Sequence, residues 1–487
     1  MAYRCGAFFS LCLAAAACGP VPVVEPLPWV DAGTPSAPDA AVEDAGVADA
    51  GAEPSPDAGL PNAQSPDQSC ADPADSVYVT PPGPQPTDDS ARGDRVKCAY
   101  ERTLSLADVT KKVAGATSAV ASYKLSYRTK RGNGDWAIGS ARVWLPQSPK
   151  AYPLPIIVIA HPSVGVADSC APSKEADGTF SLALPWAGKG YAVIAPDFAG
   201  LGTDGIQAYV DSRDTGQSTL DAARALRKLH TPATFDARIA MLGYSQGGGA
   251  VFAAQALERS YGSGGKLTAA IAFAPQWQSR LDSFGTLALL RNPNGFTIST
   301  GVTKPVIAAM RQYGYFATYL GAARAGDGFP AAGRAAMINA LDTMCLIGFG
   351  GWVQGTSTRL KDLVDEGLRS STIACLDTPN EPACKEPGKG YLQYLRDNLV
   401  APDPQGAPVL YVQGMLDTVM PAGEEAACNV PRLQQAGVDL QVCTDAGANH
   451  ANVIDRNGDF ALRWAEAKLS GTQAPTCAAS PLAPCPP

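Results

Sequence analysis

The sequence predicts an α/β fold in which a mostly parallel sheet is covered by helices on both faces. Several short segments are almost wholly apolar, as strands buried on both faces are, and segments with apolar residues at helical spacing lie between them. The 487-residue chain is 46% hydrophobic and 17% charged, so it can bury a large core. Buried strands are expected at 154–160, 191–195, 239–242, 267–274, 408–413 and 440–443.

An antiparallel hairpin is expected at one edge of this sheet. Residues 123–127 and 141–145 alternate apolar and polar side chains, and a Gly-Asn-Gly-Asp turn lies between them at 132–135. Helices are expected at 215–229, from 249 onward and at 460–469. The strand pattern stops between about 278 and 404, which predicts a helical cap with helices at 306–320 and 335–347.

The N-terminal 18 residues have the pattern of an export signal. An apolar run follows Arg4 and ends at Ala15-Ala16-Ala17-Cys18, which is typical of a bacterial signal whose final cysteine receives lipid after cleavage. We therefore expect an exported protein, with Cys18 as the lipidation site and a membrane surface as its partner through that anchor. Plain secretion, with cleavage near Ala17, is the alternative.

Residues 19–90 have the composition of a linker. There is no Lys or Arg between Cys5 and Ala91, 13 residues there are acidic, and Asp-Ala-Gly recurs at 31, 44, 49 and 57. Such a segment cannot bury enough apolar surface to fold alone, so a disordered, extended linker is predicted before a domain at 91–487. The rest of the chain is close to neutral, which argues against nucleic acid as a partner.

Ten cysteines lie beyond the signal, and an even number in an exported chain predicts disulfides. None is spaced C-x-x-C and the chain has three histidines, so neither a metal nor another cofactor is expected. Bridges are predicted for Cys375–Cys384, which close a short loop, and for Cys428–Cys443. The pairing of the other six is left open, and Cys477 and Cys485 lie in a Pro-rich tail expected to be unstructured.

The segment at 239–254 carries the strongest chemical signal. A buried strand leads into Gly243-Tyr244-Ser245-Gln246-Gly247, which fits G-x-S-x-G, and an apolar helix follows. This is the context in which a serine nucleophile stands on a sharp turn above the sheet. An ordinary strand-to-helix turn would have the same pattern, so a catalytic role for Ser245 also requires a general base and an acid elsewhere in the chain.

Those partners follow in a definite order along the chain. His450 lies in a loop after the last strand, where a general base is expected, and Asp417 lies at the end of the strand at 408–413. The order Ser, Asp, His is that of α/β-hydrolases. Asp417 is preferred as the acid, with Asp445 as the alternative. The oxyanion donors are expected to be Gln246, which follows the serine, and Ser163, because Pro162 has no N–H.

These stretches together resemble the secretory lipase family of α/β-hydrolases. The resemblance covers about 122–469 and rests on the serine turn and on 161–165, 170–173, 197–202, 220–225 and 414–417. It implies hydrolysis of carboxylic esters, as a carboxylesterase or triacylglycerol lipase, with a helical cap and no metal. Aromatic and aliphatic side chains in the cap lead us to expect short-to-medium acyl chains. A serine peptidase of the same fold and a catalytically silent surface-binding protein are the alternatives.

Overall fold

The computed structural model describes residues 61–175, 180–281, 286–294, 298, 303–400 and 403–485. The expected signal peptide, Cys18 and linker residues 19–60 lie outside these ranges. Across the described residues, nine strands form one sheet in the order β1-β2-β3-β5-β4-β6-β7-β8-β9. They are β1 Arg95–Leu104, β2 Val120–Lys130, β3 Trp136–Pro146, β4 Leu154–Ala160, β5 Ala192–Pro196, β6 Phe235–Tyr244, β7 Lys266–Phe273, β8 Val409–Gly414 and β9 Leu440–Asp445.

The sheet is antiparallel at one edge and parallel elsewhere, as predicted. β1, β2, β3 and β5 pair antiparallel, whereas β5, β4, β6, β7, β8 and β9 pair parallel. The α-helices are α1 Leu106–Thr110, α2 Phe180–Ala187, α3 Ser212–Lys228, α4 Gln246–Tyr261, α5 Thr286–Arg291, α6 Thr303–Leu320, α7 Arg334–Thr343, α8 Leu346–Thr356, α9 Glu366–Asp377, α10 Gly388–Asp397, α11 Ala427–Gln435 and α12 Val453–Ser470.

Two cores cover the two faces of the sheet. Along β4, Ile156 and Val158 pack in the core shared with α3, α4 and α11, while Ile157 and Ile159 pack in the core shared with α2 and α12. Alternate side chains of a strand point to opposite faces, and both faces are apolar here because both are covered. The apolar runs that predicted the strands are therefore explained by burial on both sides.

The cap predicted for 278–404 is the group of helices α5 to α10, inserted between β7 and β8. It has a core of its own, in which most of the described aromatic residues of the cap are buried: Tyr313, Tyr315, Phe316, Phe329, Phe349, Tyr391 and Tyr394. Phe284 and Phe296 lie outside the described residues. The helix expected at 335–347 is two helices, because the chain is extended at Met344 and Cys345 between α7 and α8.

The predicted end of the linker is wrong for residues 61–90. Ala63 and Val77 are fully or almost fully buried, the N–H of Asp67 donates to Leu229 O at 3.0 Å, and Cys70 is bonded to Cys98. Folded structure therefore reaches at least to residue 61. The composition argument failed because the disulfide and contacts with distant residues hold a segment that has little apolar surface of its own.

The bridge predicted between Cys428 and Cys443 is also wrong, whereas Cys375–Cys384 is confirmed. Cys443 packs in the core shared with α12, while Cys428 lies in the first turn of α11, which packs on the opposite face of the sheet. The Pro-rich tail reaches both, through Cys443–Cys477 and Cys428–Cys485, so it is anchored rather than free. Cys170–Cys345 is the remaining bridge of the described residues. No described helix combines the length and apolar character needed to span a bilayer.

Candidate active site

Ser245 stands on a strained turn between β6 and α4. Its φ of 53° and ψ of −116° are unfavourable for a residue with a side chain, and its N–H donates to Phe273 O at 2.9 Å. A Cβ on Gly247 would lie 2.0 Å from Ala160 O, and one on Gly243 would lie 2.0 Å from Gly247 O. The two glycines of the motif are therefore required by the close crossing of β4, β6 and α4.

His450 joins this turn to Asp417. Its Nε2 lies 3.1 Å from Ser245 Oγ and its Nδ1 lies 2.7 Å from Asp417 Oδ2. The phenol of Tyr244 donates to His450 O at 2.6 Å, and the two rings pack with centroids 4.9 Å apart. Serine, histidine and aspartate thus form a continuous line of contacts, in which a proton could pass from Oγ to Nε2 while the acid holds Nδ1.

The two acids considered for this line have different partners. Asp417 is buried, and its Oδ1 accepts from the N–H groups of Val419 and Met420, both at 2.8 Å, which leaves Oδ2 to face the histidine. Asp445 accepts from Arg456 Nε at 2.8 Å and Nη2 at 2.9 Å. The bonds from the guanidinium lower the pKa of Asp445 to about 2. The acid that contacts His450 is therefore Asp417.

The other two histidines make structural contacts. The ring nitrogens of His161 lie 2.6 and 3.1 Å from the carbonyl oxygens of Pro162 and Asp197. Behind it, the Asp197 carboxylate accepts from Ser140 Oγ at 2.6 Å and Ser173 N at 2.9 Å, and burial raises its pKa. His230 Nδ1 lies 2.8 Å from Asn62 O.

The residues expected to supply oxyanion donors border the same turn. Gln246 begins α4, where backbone N–H groups have no intrahelical acceptor. Ser163 lies in the segment His161–Cys170 that follows β4, hereafter the β4 loop. Its hydroxyl lies 2.7 Å from Tyr209 OH and 3.3 Å from Gln276 Oε1. Sequence reasoning missed Tyr209 and Gln276; the one available signal was that Gln276 follows the end of β7.

The cap is attached to the β4 loop. Cys170 is bonded to Cys345, and Leu346 N donates to Val164 O at 2.8 Å, next to Ser163. A Cβ on Gly165 would lie 2.9 Å from Leu346 N, so the two segments are in direct backbone contact. The start of α8 and the region of Ser163 are therefore held together.

Comparisons with known proteins bear on the family and the fold. Residues 178–275, which include the serine turn, match the family model described as secretory lipase. The resemblance to the secretory lipase family is confirmed. A comparison with curated protein sequences found no match.

Solved structures establish the fold. The chain is similar to lipase A of Candida antarctica, with a TM-score of 0.60 and 19% identity over 83% of this chain and 88% of that one. It is also similar to the rice cell wall degrading esterase LipA of Xanthomonas oryzae, with a TM-score of 0.59 and 20% identity over 79% of this chain and 100% of that one. The predicted α/β-hydrolase fold is confirmed.

The comparisons also support two general statements about this chain. The family match supports a hydrolase of the lipase or esterase class. The same match, with five disulfides among the described residues, indicates an exported protein.

Proposed function

We propose that the chain is a serine carboxylic-ester hydrolase in which Ser245 is the nucleophile, His450 the general base and Asp417 the acid. The observation that carries this proposal is the pair of contacts of His450, at 3.1 Å to Ser245 Oγ and at 2.7 Å to Asp417 Oδ2. A hydroxyl attacks an ester only if its proton is removed, and a histidine held in one tautomer by a buried carboxylate does this well.

The reaction proceeds in two halves. Ser245 Oγ attacks the ester carbonyl while His450 Nε2 takes its proton, and the carbonyl oxygen becomes an oxyanion that accepts from the N–H groups of Gln246 and Ser163. His450 then gives the proton to the departing alcohol, which leaves an acyl-enzyme. Water attacks the acyl group, again with His450 as the base, and releases the acid and Ser245. Asp417 holds the imidazole and stabilises its charged form without taking the proton.

For the substrate, we propose esters with short-to-medium acyl chains. The cap is inserted between β7 and β8, so in the sequence it lies between Ser245 and Asp417. Most of its aromatic residues are buried in its own core, which leaves few of them to line a long acyl site. Each further methylene that can be buried contributes about 0.8 kcal/mol, so a pocket of limited length discriminates strongly.

The test uses purified full-length mature protein, the Ser245→Ala variant and p-nitrophenyl esters from acetyl to palmitoyl, beside a peptide panel. We expect ester turnover with a maximum between butyryl and octanoyl, labelling of Ser245 by a fluorophosphonate, and a loss of about 10⁶-fold in kcat in the variant. Peptide cleavage without ester cleavage would favour the serine peptidase. Absence of both turnover and labelling would favour the silent binding protein.

We also propose that Cys18 carries the lipid anchor of this exported protein. A single acyl chain gives only marginal membrane binding, so the expected modification has more than one chain. Mass spectrometry of the mature N-terminus tests this: a start at Cys18 with added acyl mass supports the anchor, and an unmodified start after Ala17 shows plain secretion.

A further inference from the structure

Gln276 lies directly against the nucleophile turn. Its N–H donates to Ser245 O at 2.8 Å, and three residues earlier Phe273 O accepts from Ser245 N. A Cβ on Gly249 would lie 2.1 Å from Gln276 O, so the chain after β7 also touches the first turn of α4. The backbone of Gln276 therefore has a defined position relative to Ser245.

The side chain of Gln276 reaches the opposite side of the candidate site. It is 3% exposed, and its Oε1 lies 3.1 Å from Tyr209 OH and 3.3 Å from Ser163 Oγ. The two hydroxyls lie 2.7 Å from each other. Each hydroxyl has one proton, so only two of the three contacts can be hydrogen bonds at the same time. Ser163 takes part in two of the three contacts, so any two of them include at least one hydrogen bond to Ser163. The cluster thus holds Ser163 in every arrangement.

Ser163 needs such a support. It lies in the β4 loop, outside any helix or strand, and is preceded by Pro162, which has no N–H to donate. Burial raises the pKa of Tyr209 to about 12, so its phenol stays protonated and able to donate at neutral pH. The Ser163 side chain is thus held by buried partners on two other segments, which restricts the movement of the residue that carries the N–H.

We propose that Gln276 is a positioning residue that sets the distance between the nucleophile Ser245 and the oxyanion donor Ser163, with Tyr209 as its partner. This inference rests on the proposed function, because it needs Ser245 as the nucleophile and Ser163 N–H as a donor. An oxyanion donor is effective only at about 2.7–3.1 Å from the developing charge, so loosening its support lowers the rate of the chemical step.

The test compares Gln276→Met and Tyr209→Phe with Ser163→Ala, which removes the hydroxyl but keeps the N–H. The matched control is Gln278→Met: Gln278 is two residues away and 2% exposed, but its Nε2 donates to Leu395 O in the cap at 2.8 Å. Each variant is assayed with p-nitrophenyl butyrate for kcat and KM, with fluorophosphonate titration of folded sites, and with a trifluoromethyl ketone for affinity toward a tetrahedral adduct.

We expect Gln276→Met to lower kcat per titrated site by about 10- to 100-fold with KM within about 3-fold, because the lost interaction acts mainly in the transition state. Affinity for the ketone should fall in parallel. Tyr209→Phe should have a smaller effect of the same kind. Combining Gln276→Met with Ser163→Ala should be little worse than the slower single variant, because both act through one contact.

Two results would overturn the inference. The first is wild-type kcat in Gln276→Met while Ser245→Ala is inactive. The second is an equal loss of kcat in Gln278→Met and Gln276→Met, which would mean that any buried glutamine in this region acts through general packing. Activity that survives Ser245→Ala would instead overturn the proposed function itself, so the two failures are distinguishable.

Discussion

The two sides of the candidate site are held by different means. On one side, the turns that carry Ser245 and Asp417 are fixed by backbone groups: Ser245 N donates to Phe273 O, and Asp417 Oδ1 accepts from the N–H groups of Val419 and Met420. On the other side, the β4 loop is held mainly by the Cys170–Cys345 bridge and by the hydroxyl of Ser163, with one backbone hydrogen bond from Leu346 to Val164. The first side depends on backbone geometry at the ends of strands, and the second depends mostly on side chains far away in the sequence.

From this difference we expect substitutions on the first side to abolish activity and substitutions on the second side to reduce it by degrees. Backbone hydrogen bonds at the ends of parallel strands leave few alternative positions, so substitutions there should abolish activity or folding. Side-chain contacts can be removed one at a time, and the contacts that remain should keep the β4 loop in its position for part of the time. The following predictions test that contrast, beginning with the largest expected effect.

The pair Asp417→Asn and Asp445→Asn tests the serine side. We expect Asp417→Asn to lower kcat by up to about 10⁴-fold, because an amide favours the wrong tautomer of the neighbouring histidine. Asp445→Asn is the control, since Asp445 bonds to Arg456 rather than to His450, and its kcat should remain near wild type. Steady-state kinetics on one soluble ester measures both. An inactive Asp445 variant beside an active Asp417 variant would reverse the assignment.

Gly247→Ala tests how closely β4 and α4 approach. The added Cβ would lie 2.0 Å from a backbone oxygen of β4, which cannot move aside without displacing the sheet. We expect destabilisation of about 3 kcal/mol or more, at the upper end of overpacking effects, with little remaining activity. Thermal unfolding and active-site titration measure these.

The control for that substitution is Gly350→Ala in α8, where the added Cβ would meet no atom within 4 Å. Alanine is the better helix former, so this variant should be as stable as wild type or more stable, by up to about 1 kcal/mol. Equal loss of stability in both variants would show that the crossing of strand and helix is not special.

Removal of the Cys170–Cys345 bridge tests the cap side. A variant with both residues changed to Ala loses the covalent link between the β4 loop and α8 but keeps the hydrogen bond from Leu346 to Val164. We expect a loss of about 2–4 kcal/mol in stability. Because the loop near Ser163 is loosened, kcat should also fall, by about 10-fold, as a partial loss of an oxyanion donor.

The matched variant changes Cys375 and Cys384 to Ala, which removes a bridge between residues nine apart within the cap. It should lose stability while kcat changes little, since that bridge does not touch the β4 loop. Denaturant unfolding and kinetics on the same preparations compare the two. If both double variants lowered kcat equally, kcat would depend only on the stability of the cap. The Cys170–Cys345 bridge would then have no special effect on the β4 loop.

The smallest expected effect concerns the pair Asp445–Arg456. The pKa of Asp445 is lowered to about 2 in the folded protein, below its unfolded value, so the pair adds stability above about pH 4 that is lost as pH falls through about 2. Because Arg456 is half-exposed, solvent screens the pair and its contribution to stability should be small. Unfolding of wild type and Asp445→Asn between pH 2 and 7 measures it: the difference should shrink toward pH 2, and a constant difference would argue against an ionic contribution.

The architecture and the residues in contact with His450 could be predicted from the amino-acid sequence alone. Strand β4 was predicted with the bounds that the structure has, because an uninterrupted apolar run is required of a strand that is buried on both faces. The order of Ser245, Asp417 and His450 along the chain named a histidine that lies within hydrogen-bonding distance of both the serine and the aspartate. Their catalytic roles stay a prediction. These features could be predicted because a buried strand and its end each produce a pattern of apolar and turn residues within a short stretch of sequence.

The disulfides and hydrogen bonds between distant segments became known only from the tertiary structure. Residues 61–90 have the composition of a linker, yet a disulfide to β1 and buried residues make them part of the domain. Cys428 and Cys443 are consecutive cysteines of the sequence but lie on opposite faces of the sheet, and each pairs with the tail instead. Ser163 and Gln276 are 113 residues apart. Which such side chains meet depends on how whole elements pack, and a contact between distant segments produces no periodic pattern in the sequence around either residue.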